Sequence, residues 1–192
     1  YGGRAGLRWN ASEEWTVDLN AIYQKYELKD GFGDVDLNQQ FYEDTDTFPV
    51  LGELDQIRFG DENWEDEWYQ LSVTAEGDLG FADFVVTGAY YNRENVYNAD
   101  TTAYVQAFQQ DRENFPYYDL RYDFNGDPRA TAVDTRDTES WTVEARLSSS
   151  ADSDSRWAWI GGVFYNHREV DEFFASNVQD LWTAAPLYET PA

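Results

Sequence analysis

The sequence predicts an all-β fold: an antiparallel up-and-down meander of about six strands, part of a transmembrane β-barrel, with long acidic extracellular loops. Three observations carry this. Apolar side chains recur with the period of two that marks a strand with one apolar face, not the 3.6 of a helix. Short turns of Asn, Asp, Gly and Ser alternate strictly with connections of about 40 residues, well beyond the usual loop length. The aromatic residues gather in two bands along the strands instead of scattering through them.

In chain order, the first strand is expected near residues 3–10, where Ala5, Leu7 and Trp9 alternate with Arg4, Gly6 and Arg8. The second, near 15–27, sets Trp15, Val17, Leu19, Ala21 and Tyr23 against Thr16, Asp18, Asn20 and Gln24, with Ile22 the one apolar residue on the polar side. The third, near 67–77, sets Tyr69, Leu71, Val73 and Ala75 against Gln70, Ser72, Thr74 and Glu76. The fifth, near 138–149, sets Trp141, Val143, Ala145 and Leu147 against Thr142, Glu144, Arg146 and Ser148. The fourth (81–93) and sixth (156–166) are apolar on both sides, so the pattern leaves their facing open, with Phe84, Val86, Gly88 and Tyr90 preferred outward on the fourth.

The turns Asn10–Glu14, Asp78–Gly80 and Ser149–Ser155 join these strands into hairpins 3–27, 67–93 and 138–166. Between and after them run the long segments 28–66, 94–137 and 167–192, which carry charges of −10, −5 and −4 out of the chain's −25. Short turns on one side and long acidic loops on the other suit a membrane barrel, whose two rims face different compartments. The expected organisation is therefore one partial barrel domain over 1–192, roughly a quarter of a large barrel and a stretch of a longer chain.

Composition narrows the function classes. With 38 acidic against 13 basic residues, the chain has no basic face for a phosphate backbone, and nucleic acid is not an expected partner. With no Cys and a single His, His167, the usual nucleophile–base sets lack parts, so no catalytic residues are assigned and an enzyme is not expected. The longest apolar run, Trp157 to Tyr165, falls far short of the roughly 20 residues of a spanning helix, yet strands cross a bilayer without such a run. Trp9, Trp15, Phe81, Phe84, Trp157 and Trp159 lie near the short-turn ends. Tyr23, Tyr26, Trp68, Tyr69, Tyr90, Tyr91, Trp141 and Tyr165 lie near the long-loop ends, with mostly Val, Leu, Ala, Ile and Gly between. Amphipathic rings take up this arrangement at the two interfaces of a bilayer. Val17, Leu19, Leu71, Val73, Val143 and Ala145 are then expected to face lipid, and Asp18, Asn20, Gln70, Thr74, Glu144 and Arg146 the lumen.

Two acidic runs, Asp34-Val35-Asp36-Leu37-Asn38 and Asp123-Phe124-Asn125-Gly126-Asp127, imitate the start of a calcium loop. Gln39 and Pro128 stand where its Gly belongs, and Thr45 and Asp134 where its Glu belongs, so no metal site and no cofactor are assigned. Asn10-Ala11-Ser12 matches a glycosylation sequon but fits a tight turn better.

Thr138 to Tyr165, reading TESWTVEARLSSSADSDSRWAWIGGVFY, resembles a barrel hairpin of TonB-dependent outer-membrane receptors: an alternating strand ending Leu-Ser-Ser, a short turn, and a Trp-rich strand ending Gly-Gly-x-Phe-Tyr. Trp15–Glu27 and Trp68–Arg93 are similar to other strands of such barrels. The resemblance implies a receptor in the outer membrane of a Gram-negative bacterium, a 22-stranded barrel with a plug domain. Such a receptor takes up scarce nutrients (metal chelates such as siderophores, cobalamin or oligosaccharides) with energy delivered by TonB. It implies as partners outer-membrane lipid, the rest of the barrel and its plug, the TonB complex reached through that plug, and a small nutrient ligand whose contacts the sequence does not assign. Two other readings fit parts of the pattern: a passive porin barrel, and a secreted soluble β-sandwich binding carbohydrate through Trp64, Phe115, Tyr117, Tyr118 and Trp182. The sandwich would bury the Trp15 and Trp141 faces against each other.

Overall fold

The computed structural model describes residues 1–29, 59–102, 122–123, 129–150, 155–179 and 185–186. The strands are β1 (Gly2–Asn10), β2 (Trp15–Lys29), β3 (Asn63–Asp78), β4 (Ala82–Asp100), β5 (Tyr122–Asp123), β6 (Ala130–Ser149), β7 (Ile160–Val178) and β8 (Ala185–Pro186). Six form one antiparallel sheet in the order β1-β2-β3-β4-β6-β7, so consecutive long strands are neighbours, as the turn pattern predicts. The pair β5–β8 is a separate two-stranded ladder, with Tyr122 opposite Pro186 and Asp123 opposite Ala185.

The chain divides into two compact units. The first comprises Tyr1–Glu27, Glu65–Asn95 and Thr135–Glu172. Its β1–β2 ladder runs from Gly2 opposite Gln24 to Asn10 opposite Thr16. Leu7 meets Leu19 and Trp9 meets Val17 on one face, while Arg8 meets Asp18 on the other through a two-pronged ion pair, both bonds 2.7 Å. A one-residue slip would turn Arg8 toward the apolar side, so alternation and ion pair together specify the register.

Local chemistry closes the turns. At the β3–β4 turn the Asp78 carboxylate accepts the Gly80 N–H at 2.6 Å, the Leu79 N–H reaches the Ala82 carbonyl at 2.9 Å, and Gly80 takes φ +81°, open to glycine at no steric cost. Ser12 holds the β1–β2 turn, its hydroxyl donating to Glu14 Oε2 and accepting the Glu14 N–H. At β6–β7 the Ser149 N–H donates to the Trp159 carbonyl at 2.8 Å and the Ser149 hydroxyl accepts the Trp159 N–H. β7 begins at Ile160, just past these bonds and four residues later than expected, so Trp157 and Trp159 precede the strand.

The second unit comprises Leu28–Trp64, Val96–Asp134 and Phe173–Ala192. Here Asp100, the last residue of β4, acts as a clasp. Its Oδ2 accepts the N–H groups of Phe59 (2.5 Å) and Gly60 (2.8 Å), its Oδ1 accepts the Thr102 N–H (2.9 Å), and its own N–H donates to Glu62. Burial raises the pKa of this carboxyl, but the bonds from Thr102, Phe59 and Gly60 outweigh burial and hold it below the usual carboxylate range. The buried Thr102 hydroxyl donates to the Ala130 carbonyl and accepts the Ala130 N–H, and the Arg129 guanidinium lies 4.6 Å over the Phe59 ring. Sequence alternation did not reveal these outer stretches of β3, β4, β6 and β7. Polar residues such as Asn63, Asn98 and Asp100 make their contacts there, so no apolar face marks them as strand.

Burial inverts the ordinary soluble pattern. Among the described residues the buried ones are Gly77, Ala82, Ala99, Thr102, Ala130, Ala132 and Thr138. None is Val, Leu, Ile, Phe, Tyr or Trp, the residues that fill a closed core. Of the six positions expected to face outward, Leu19, Leu71, Val73 and Val143 are exposed, whereas Val17 and Ala145 are half-buried.

Candidate functional site

Two surfaces of the first unit carry its chemistry, one on each face of the sheet. On the apolar face, alternation brings Leu7, Leu19, Leu71, Val73, Gly88 and Val143 around an open groove of about 690 Å³. The leucines and valines lining it are between 43% and 63% exposed. Adding a Cβ to Gly88 would place it 3.7 Å from Val73 Cγ1, which puts Gly88 on this face.

Rings flank this aliphatic band. Toward the long connections, Tyr90 lies between Tyr69 and Trp141, with centroids 5.8 Å and 4.3 Å away. At the short-turn end Trp15 packs 6.2 Å from Phe84 and covers Gly77, where a Cβ would sit 2.6 Å from two indole carbons. Phe84, Gly88 and Tyr90 therefore share the outward face of β4, which settles the facing that the sequence left open. Beyond the upper ring band, Lys25 bridges Glu27 and Glu67 at 3.3 Å each, and the Tyr23 hydroxyl donates to Glu67 at 2.9 Å. A long lysine at a rim carries its charge past an apolar stem in this way.

On the opposite face polar groups find polar partners. Besides Arg8–Asp18, the Thr74 and Thr87 hydroxyls are 3.0 Å apart, Arg93 grips Asp66 through two bonds of 2.7 and 2.8 Å, and Arg136 bonds Glu172 at 2.8 Å. The Asn166 amide donates to the hydroxyls of Ser140 and Thr142, which places Asn166 on this face and, by alternation, Val163 and Tyr165 on the other. Trp68 and Tyr91, grouped by sequence position with the upper ring band, instead pair with each other at 5.9 Å. They lie on the polar face, in the strand positions between Thr74–Thr87 and Asp66–Arg93. Sequence reading missed this because neighbours on a strand look alike in position along it while pointing to opposite sides.

The remaining sequence-singled residues fall as follows. Asp18 and Thr74 are engaged as above; Gln70 is half-buried, and Asn20, Glu144 and Arg146 are exposed. His167 lies 3.0 Å from Glu169 on an exposed stretch of β7. Trp64 is half-buried in β3, whereas Phe115, Tyr117, Tyr118 and Trp182 lie outside the described residues, as do Asp34, Asp36, Asn38, Asn125 and Asp127. Among the described residues no cluster of three or more His, Cys, Asp or Glu is arranged to hold a metal ion. No protein-family model and no curated protein matches the chain.

Proposed function

We propose that this chain is a section of the transmembrane barrel of an outer-membrane receptor that takes up a scarce nutrient, resembling the TonB-dependent class and energised through TonB. The observation that carries the reading is the apolar face of the first unit. Its aliphatic band is exposed, rings flank it at both ends, and the polar side chains pair on the opposite face. In water each such half-exposed aliphatic side chain forgoes roughly half of the about 1.5–3 kcal/mol that full burial supplies, whereas acyl chains cover it at no such cost. A lumen, conversely, suits the hydrogen-bonded threonines and ion pairs of the other face.

On this reading β1 and β7, the two edges of the sheet, pair with further strands of the same barrel, since a bilayer tolerates no open sheet edge. The long acidic connections face the outside, where they contribute to admitting the ligand, and a plug domain carried elsewhere in the protein meets the TonB complex. Trp15 and Trp141 count against a sandwich. Through Phe84 and Tyr90 both lie on one face of one sheet, not on two facing sheets.

The test is fractionation and energisation of the full-length parent in a Gram-negative host. The proposal expects the protein in the outer-membrane fraction, soluble only with detergent, and nutrient uptake lost when TonB is deleted. A parent recovered from the aqueous periplasm or medium would refute the membrane reading, and uptake indifferent to TonB would point to a passive porin.

A further inference from the structure

Rings on the apolar face of the first unit have an interface to sit at, but the Trp68–Tyr91 pair on the polar face does not. Both side chains are half-buried at the sheet surface, and among the described residues no closed apolar core accounts for them. The pair is tilted by 42° with centroids 5.9 Å apart, and hydrogen-bonding groups flank it along the β3–β4 ladder. Thr74 and Thr87 lie on one side, Asp66 and Arg93 on the other, with the half-buried Gln70 two residues along β3 from Trp68.

We infer that Trp68 and Tyr91 form a stacking subsite for an uncharged sugar ring of an oligosaccharide, with Arg93, Asp66 and Gln70 meeting its hydroxyls. This rests on the receptor reading above and names its substrate class. A pyranose presents a weakly apolar C–H face with hydroxyls around its edge, and the site offers ring faces with mixed donors and acceptors beside them. Charge separates this ligand from its rivals. An anionic chelate would meet a chain of net charge −25, and the cation at the site, Arg93, is already gripped by Asp66 through two bonds. A cationic ligand drawn to the rings would have to displace Arg93 from Asp66, whose side chain is only 13% exposed. A neutral polyol needs neither change. The guanidinium carries five N–H donors; two go to Asp66 and another engages the Tyr91 side chain, so donors remain for hydroxyls on a side chain 40% exposed.

The experiment uses the full-length parent purified in detergent, screened on an array of neutral oligosaccharides, with choline and a ferric siderophore as comparison probes. Binding to at least one neutral glycan is expected. It should weaken about tenfold or more in Trp68→Ala and in Tyr91→Ala and stay within about threefold in Trp68→Phe, which keeps a ring. Trp141→Phe, on the lipid-facing side, should leave glycan binding unchanged. Detergent dependence and outer-membrane localisation are scored on the same preparations. A parent that inserts normally yet binds no neutral glycan, prefers choline or the ferric chelate, or keeps full glycan affinity in both alanine variants overturns the subsite alone. A parent that does not insert overturns the receptor reading, and this inference with it.

Discussion

An arginine placed at two adjacent positions of β6 separates the two faces of the sheet energetically. Val143 is 47% exposed and borders the aliphatic groove with Leu71 and Val73, between the ring bands. In a bilayer this is near the midplane, where arginine costs about 2–4 kcal/mol. Thr142 points the other way, its hydroxyl accepting the Asn166 amide at 2.9 Å. Thr142→Arg forfeits that bond, about 0.5–1.5 kcal/mol, but leaves the guanidinium in water on the face where Glu144 and Arg146 already stand. The expected gap between the variants is therefore about 0.5–3.5 kcal/mol, with Val143→Arg the worse. Reversible urea unfolding of the full-length parent in lipid vesicles, followed by tryptophan fluorescence, measures it. Equal losses, or a larger loss for Thr142→Arg, would refute the assigned facing, and cooperative refolding of the wild type in lipid-free buffer would refute the bilayer itself.

Other consequences follow from single contacts. Gly77→Ala drives a methyl into the Trp15 indole, whose carbons lie 2.6 Å from the new Cβ, and should cost about 1–3 kcal/mol in the same assay, with most of the loss recovered by adding Trp15→Leu. Gly80→Ala keeps open space around its Cβ but forces a left-handed backbone at φ +81°, an expected cost of about 1–2 kcal/mol that Gly80→Asn should reduce. Asp100, its carboxyl held low in the folded state, contributes stability that is complete above its unfolded value of about 3.9 and lost as pH falls through the lower folded value. Amide exchange at Phe59, Gly60 and Thr102 should thus accelerate only below about pH 4 in the wild type, and Asp100→Ala should show that acceleration at neutral pH.

Much of the architecture was readable because the first unit obeys one simple rule. Period-two alternation located β2, β3 and β6, and the placement of Asn, Asp, Gly and Ser identified the turns, with Asp78 and Gly80 found in the roles their chemistry suits. Neighbour order followed from turn length. What escaped the sequence has physical reasons. β4 and β7 carry apolar residues at consecutive positions, so only contacts such as Phe84 with Trp15 and Asn166 with Thr142 assign their faces. The outer parts of the strands lack an apolar side, and the Asp100 clasp joins β4 to Phe59 and Gly60 some 41 and 40 residues earlier, a separation no local pattern encodes. Trp68 and Tyr91 were read as belt residues because aromatic position alone does not report facing.

The most direct test of the central claim, that one face of this sheet meets lipid and the other meets water, is a spin-label scan along β6. Single cysteines at positions 140 to 147 of an otherwise cysteine-free parent, reconstituted in lipid vesicles, are labelled and probed with oxygen, which partitions into acyl chains, and with a water-soluble nickel chelate. The account predicts a period of two. Oxygen accessibility should be high at Trp141→Cys, Val143→Cys and Ala145→Cys, and nickel accessibility high at Thr142→Cys, Glu144→Cys and Arg146→Cys. Nickel reaching both sets alike, or oxygen accessibility that does not alternate, would contradict it.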